Sequence, residues 1–340
     1  MKKRTALIVF RTISILLLCV AALCISTYFL FFHKSFDIHE TTYLYIDTDD
    51  NNDSVRVKLE TTAQIRHPRS FNILASLCGY TPKSGRYAIS EDDNVVTVFK
   101  QLRQGNQAPV MIVIPSVRTM QRLSSVLAHQ LMLDSITLVH NLTDSAFCSN
   151  LGYDTATIAC LFIPNTYEVY WNISLDNLMQ RMQMEHDAFW TPERCSKAQD
   201  AGLTPNQVAI LASIVDEETN DLDEKPTIAG LYLNRLRIGM PLQADPTIKF
   251  ALHDFTLRRI LYKHLETESP YNTYLYPGLP PGPIRIASVA GIDAVLNHQH
   301  HNFLYMCAKE DFSGSHNFAR TFREHQINAR RYSRALNKRK

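Results

Sequence analysis

Three consecutive acids, Asp216, Glu217 and Glu218, close the segment Leu211-Ala212-Ser213-Ile214-Val215-Asp216-Glu217-Glu218-Thr219. On a helix, residues three and four apart share a face. Val208, Leu211, Ile214, Val215 and Glu218 then form one stripe, and Asp216 and Glu217 point elsewhere. A carboxyl at the edge of an aliphatic stripe loses hydration, which disfavours its charged form and raises its pKa, and Glu217 adds like-charge pressure. A carboxyl protonated near neutral pH is what a general acid requires. The same pattern also describes a helix end at which the stripe stops and a solvated acid follows.

A series of motifs lies downstream: Asn234-Arg235-Leu236-Arg237-Ile238-Gly239-Met240, Leu242-Gln243-Ala244-Asp245-Pro246-Thr247, Tyr271-Asn272-Thr273-Tyr274, Gly278-Leu279-Pro280-Pro281-Gly282 and Gly314-Ser315-His316-Asn317-Phe318. Upstream stand Phe162-Ile163-Pro164-Asn165-Thr166-Tyr167 and Ser84-Gly85-Arg86-Tyr87. Together with Ala212-Ser213-Ile214-Val215 and Glu218-Thr219, this series closely resembles the endolytic murein transglycosylases of the MltG/YceG-like family. The resemblance is dense from about Gln207 to Phe318 and thin before Leu161. Asp216 departs from the family, which usually carries Glu there, whereas Glu218 matches the family's catalytic glutamate.

The resemblance implies a lytic transglycosylase acting on peptidoglycan, cutting the β-1,4 bond between N-acetylmuramic acid and N-acetylglucosamine within nascent strands. Most glycosidases use two carboxylates. A lytic transglycosylase uses no water, because the sugar's own C6 hydroxyl attacks the anomeric carbon and leaves a 1,6-anhydro end. One carboxyl, Glu218, can then serve first as acid and then as base. Around it the chemistry needs neutral donors and acceptors for hydroxyls and acetamides. Gln243, Tyr271, Asn272 and Thr273 are suitable types, and a tyrosine can also cover a sugar face. Asn272 and Thr273 are expected to matter for turnover more than for stability. Asp245, before Pro246, reads as a helix-start residue in a supporting role. His316 could bond substrate or hold its hairpin. Arg235 reads as a structural ion partner. A noncatalytic glycan binder with a decayed site and a hydrolase using the same glutamate plus water are the rival readings.

These groups must be held by a chain of 340 residues with formal net charge +2. That length gives room for one large or two modest domains plus an anchor. A near-zero balance gives no sign of a nucleic-acid partner. Thr12–Phe32 is an uncharged, largely apolar run preceded by Lys2, Lys3, Arg4 and Arg11. About 20 such residues span a bilayer, and flanking positive charge keeps its own side in the cytoplasm. A cleaved signal peptide would have a shorter apolar core and small residues before the cut. The pattern favours an uncleaved single-pass anchor in the cytoplasmic membrane with the rest exported. The partners expected are peptidoglycan strands, that membrane and peptidoglycan synthases (penicillin-binding proteins). Seven cysteines are present with no CxxC, so neither a disulfide framework nor a zinc site is indicated. His298, His300 and His301 fit a helix end, where histidines meet the carbonyl dipole. No metal and no cofactor is expected.

The patterning predicts an α+β chain in four parts: a tail (1–11), the transmembrane helix (12–32), an exported α+β module (33–156) and a mainly helical catalytic domain with a short β-hairpin (157–340). The resemblance makes part of the exported module LysM-like, either a glycan grip or a spacer. Strands are predicted at Thr42–Ile46, Val55–Leu59, Gly85–Ile89, Val110–Ile114 and Phe303–Ala308, with a return strand at Asn317–Arg320. Helices are predicted at Thr61–Gly79, Val95–Arg103, Thr119–Leu131, Leu175–Ala188, Pro226–Arg237, Thr256–Leu265, Ala287–Asn297 and Thr321–Leu336. Thr191-Pro192 and Thr204-Pro205 read as helix starts. The second opens the helix that carries Glu218. Five prolines between Pro270 and Pro283 exclude helix or central strand there, and Tyr271, Tyr274 and Tyr276 make an ordered loop.

Overall fold

The computed structural model describes residues 2–339. It is a mixed α+β, mainly helical chain with small two-stranded ladders and a long apolar N-terminal helix. That helix, α1, runs over Lys2–Phe31. Its Leu7–Phe31 stretch has 25 residues and a mean hydropathy of 2.6, long and apolar enough to cross a membrane. The property is shared by single-pass anchors and signal sequences.

Two compact units follow from the packing. The first comprises residues 1–111 with 130–132 and 168–173; the second comprises the rest. In the first unit β1 (Thr42–Ile46) pairs antiparallel with β2 (Gly85–Ile89), from Thr42 opposite Ile89 to Ile46 opposite Gly85. Helices α2 (Asn52–Thr61), α3 (Pro68–Cys78) and α4 (Val95–Gln104) complete it. Its core includes Leu44, Ile46, Val55, Leu59, Phe71, Tyr87, Ile89 and Leu102.

Helix α2 replaces the strand predicted at Val55–Leu59. The Val-Arg-Val-Lys-Leu alternation is real, but Val57 stays exposed while Val55 and Leu59, four apart, are buried. Asn51 decides the matter: its side chain accepts from the Asp53 and Ser54 amides, and the Ser54 hydroxyl takes the Asn51 amide in return. That reciprocal cap starts a helix before the alternation can act. The single helix predicted over Thr61–Gly79 is broken, because a new one starts at Pro68, at the first helical position.

After β3 (Val110–Ile114) the second unit continues through α5 (Met120–Ala128), α6 (Ser135–Leu142), α7 (Ser145–Asn150), β4 (Asn165–Val169), α8 (Leu175–Phe189) and α9 (Pro192–Asp200). Helix α10 (Pro205–Glu218) opens on a capping box between Thr204 and Gln207 with Pro205 in the first turn. Every residue from Val208 to Asp216 is buried. The helix is therefore central, not the one-sided stripe its spacing predicts. It packs against α9, α11 (Lys225–Arg237), α12 (Asp245–Ala251) and α14 (Val289–Leu296). Leu211, Ile214, Leu231, Leu242, Ile284, Ile292 and Val295 share that core. Each such side chain contributes about 1.5–3 kcal/mol on burial.

Only the short α13 (Tyr262–Leu265) forms where Thr256–Leu265 is predicted. Asp254 accepts from both the amide and the hydroxyl of Thr256, a local turn that competes with helix. β5 (Tyr305–Ala308) and β6 (His316–Ala319) form an antiparallel hairpin, with Ala308 opposite His316. The last helix, α15 (Phe322–Arg339), packs on that hairpin.

Candidate active site

Helix α10 ends at Glu218, and Thr219 turns the chain into an extended conformation. The three acids at this end meet three different surroundings. Asp216 is buried and pairs with the equally buried Lys225, the first residue of α11. It also accepts from the Ser288 amide at 2.7 Å and the Ser288 hydroxyl at 2.7 Å. Ser288 is the N-cap of α14, so Asp216 lies where a helix dipole favours negative charge. Gly291 leaves room for it: a Cβ there would come within 2.6 Å of an Asp216 oxygen. Glu217 faces the other way. Arg118 clasps it through Nε at 2.7 Å and Nη2 at 2.8 Å, and Arg285 adds a bond at 3.1 Å.

Among the described residues no cation pairs with Glu218, and its one hydrogen bond comes from the Tyr232 hydroxyl at 2.7 Å. Tyr232 is buried on α11. Burial pushes the Glu218 carboxyl from its ordinary 4.5 up to about 7, against the lowering pull of the Tyr232 bond, then of His316. Asp245 adds to the rise and Arg235 opposes it. The phenol of Tyr232 is pushed far above its ordinary value by burial and by Glu218, so it remains a donor.

A cleft of about 210 Å³ opens over this carboxyl. Tyr232, Arg235, Gln243, Asp245, Tyr274 and His316 contribute its polar lining. The Tyr274 hydroxyl donates to Asp245 at 2.5 Å. Glu224 anchors His316 twice, to the amide at 2.7 Å and to Nδ1 at 2.9 Å. Arg235 spends its guanidinium on backbone: Nε on the Leu304 carbonyl at 2.6 Å and Nη1 on the Leu242 carbonyl at 2.6 Å. It thus fixes β5 and the Leu242 segment around the cleft and serves carbonyls, not the ion partner its sequence context predicts. Glu218 also lines a second cleft, about 300 Å³, together with Asp216, Glu217, Thr219–Asp221 and the Ser313–Ser315 turn.

Of the residues singled out from sequence, Glu218, Gln243, Asp245 and His316 converge on the first cleft. Tyr271, Asn272 and Thr273 do not line it. Asn272 is fully buried; its amide nitrogen donates to the Leu265 and Thr267 carbonyls, and its oxygen accepts from the Tyr274 amide. Thr273 ties the loop to α12. Its carbonyl accepts from the Gln243 amide, and its hydroxyl accepts from the Ala244 amide and bonds the Thr247 hydroxyl. Gln243 is left with φ +51, a left-handed conformation uncommon for a non-glycine residue. Tyr271 packs against Phe250 with the rings tilted by 47° and their centroids 4.7 Å apart. The side chains of Asn272 and Thr273, expected to face a sugar, make their bonds inside the protein. The sequence reading did not single out Tyr232 and Tyr274, which line the cleft, or Glu224, which holds His316 from behind. Tyr232 sits among apolar residues of a helix and reads as core. Its one signal is that a buried tyrosine hydroxyl usually needs a partner.

The model of the YceG-like family matches residues 44–331. The chain belongs to the YceG-like family. Within it, the chain is 32% identical over 164 residues to an endolytic murein transglycosylase of Bacillus subtilis, covering 48% of this chain and 44% of that protein. It is 25% identical over 293 residues to one of Streptococcus pneumoniae, covering 76% of this chain and 52% of that one. The chain spans about half the length of these curated relatives. A crystal structure of a yceG-like protein from Listeria monocytogenes shares the fold, with a TM-score of 0.56 at 24% identity, covering 85% of this chain and 98% of that one.

Proposed function

We propose that this YceG-like chain is a lytic transglycosylase that cuts peptidoglycan strands internally, with Glu218 as its single acid–base group. One observation carries the reading: Glu218 alone of the three acids lacks a cation, and burial raises it to about 7 in a cleft of hydrogen-bonding groups. The names of the relatives point to the same substrate.

In the first step the Glu218 carboxyl gives its proton to the glycosidic oxygen between N-acetylmuramic acid and N-acetylglucosamine as the bond from that oxygen to C1 breaks. The substrate's 2-acetamido oxygen stabilises the positive charge at C1. In the second step the C6 hydroxyl oxygen bonds to C1 and its proton passes to the Glu218 carboxylate. The product is a 1,6-anhydro end, no water is consumed, and the acid is restored. Tyr232 steadies the carboxylate between the steps. Gln243, Asp245 and His316 serve as substrate-binding groups, while Tyr271, Asn272 and Thr273 shape the loop behind them. Glu218 lines two clefts, which suits a strand that continues past the cut. In this reading α1 is a single-pass anchor, residues 157–340 hold the catalytic domain and residues 33–156 include a LysM-like module. The anchor places the cut outside the cytoplasmic membrane, where synthases release new strands.

Asp245 in the same cleft favours a second reading, hydrolysis with Asp245 activating a water. Mass spectrometry of products from purified strands separates the two. Ends lighter by one water than hydrolysed ends establish transglycosylation. Hydrolysed ends, or no cleavage, overturn it.

A further inference from the structure

On the Glu217 side of α10 lies a third cleft, about 370 Å³, lined by Ser116, Val117, Arg118, Thr119, Arg122, Phe255 and Arg285. It holds three guanidinium groups, and Glu217 is the one carboxylate paired with them among the described residues. The local balance is thus positive. Two of the three guanidiniums are fixed in place. Arg118 is clasped by Glu217 and lies over the Phe255 ring, 5.2 Å from its centroid. Arg285 is held by the Ser116 carbonyl at 2.8 Å, the Ser116 hydroxyl at 3.0 Å and Glu217 at 3.1 Å. Arg122 is exposed in the first turn of α5, and no acid stands in that turn.

With Nε and Nη2 spent on Glu217, Arg118 keeps its Nη1 donors for a carboxylate and, already fixed in place, loses little freedom on binding it. Phe255 adds an apolar wall beside them. A long polyanion would find only a few cations here, whereas a single oxyanion on a short apolar-flanked group would find its charge and its shape met. Through Glu217 the cleft is joined to the residue preceding Glu218.

We propose that this cleft is an oxyanion-binding subsite that takes the carboxylate of a short peptide branch carried by the glycan substrate. The assignment rests on the transglycosylase reading for the identity of the polymer, but not for the binding itself. Through it, a peptide-bearing strand would be held beside the bond to be cut.

The test is calorimetric titration of the full chain at low ionic strength with three probes: a short peptide with a free carboxyl terminus, its C-terminal amide, and inorganic phosphate. The free-acid peptide is expected to bind at least about tenfold more tightly than the amide, a single charge-assisted contact being worth that much. Salt should weaken it, and Arg122→Gln, an exposed change that leaves the core untouched, should weaken it by a similar factor. Equal binding of acid and amide, or full affinity in Arg122→Gln, overturns the proposal. Phosphate binding more tightly than the peptide, with loss in Arg122→Gln, also overturns the carboxylate assignment and makes the cleft a phosphate site. Peptide binding as expected in a protein that cuts no strands would sink the transglycosylase reading and leave the subsite standing.

Discussion

The last turn of α10 treats its carboxylates in opposite ways. Asp216 and Glu217 face apart, yet both meet cations, Lys225 for the first and Arg118 and Arg285 for the second. Glu218 meets a phenol and an open cleft. A paired carboxylate joins elements: Asp216 ties α10 to α11 and α14. A carboxylate desolvated without a cation is pushed toward its neutral form. Neighbouring acids in one helical turn are thereby given different surroundings by their partners alone.

The largest effect should come from Glu218. Glu218→Gln keeps size and fold but cannot give and reclaim a proton. Loss of a general acid–base group costs about 10²–10⁴ in rate, so strand cleavage should fall by at least that much with an unchanged circular dichroism spectrum. Wild-type cleavage by the folded variant would end the assignment.

Asp216→Asn should act on stability instead. It leaves Lys225 buried without a counter-charge, a change that costs about 3–5 kcal/mol and should appear in denaturant unfolding. Cleavage per folded molecule should drop far less than in Glu218→Gln. Equal losses in the two variants would erase the distinction between the two acids.

Tyr232→Phe sharpens the account of Glu218. Its hydrogen bond lowers the Glu218 pKa, so removing it should move the alkaline limb of the pH–rate profile upward. The rate should fall about tenfold, equivalent to about 1.4 kcal/mol. An unmoved limb would mean that the phenol does not act on the acid.

Asn272→Ala should cost about 1–3 kcal/mol by leaving buried loop carbonyls unsatisfied, with near-normal cleavage by the surviving folded fraction. A loss of rate without loss of stability would return Asn272 to the substrate. The smallest effect concerns Glu217→Gln: a part-exposed pair contributes about 0–1 kcal/mol, and thermal unfolding should move little.

Sequence made some of this plain and hid the rest for physical reasons. Thr191-Pro192, Thr204-Pro205 and the αL residue Gly105 mark helix ends through chemistry local to the chain. The helix that ends at Glu218 was readable because its Thr204-Pro205 start and its apolar spacing agree. The partner of Asp216 was not, since Lys225 lies across a turn and belongs to another helix. Val55–Leu59 carries both a period of two and an i,i+4 pair, and only the Asn51 cap chooses between them. Asn272 and Thr273 misled because a small polar side chain that closes a loop has the same chemistry as one that greets a sugar; only burial separates the roles.

The central claim is that Glu218 is protonated near neutral pH, and its titration can be followed directly by carbon NMR of labelled glutamate carboxyls, with Glu218→Gln assigning the resonance. The sign has a thermodynamic counterpart. A carboxyl raised from 4.5 to about 7 in the folded state stabilises the fold below 4.5 and loses that contribution as pH rises through 7. Wild type should therefore lose stability relative to Glu218→Gln across that window. A midpoint near 7 for the Glu218 resonance is the expected result. A midpoint at the ordinary 4.5 would mean that the cleft holds a charged carboxylate, and the single-acid mechanism would be contradicted.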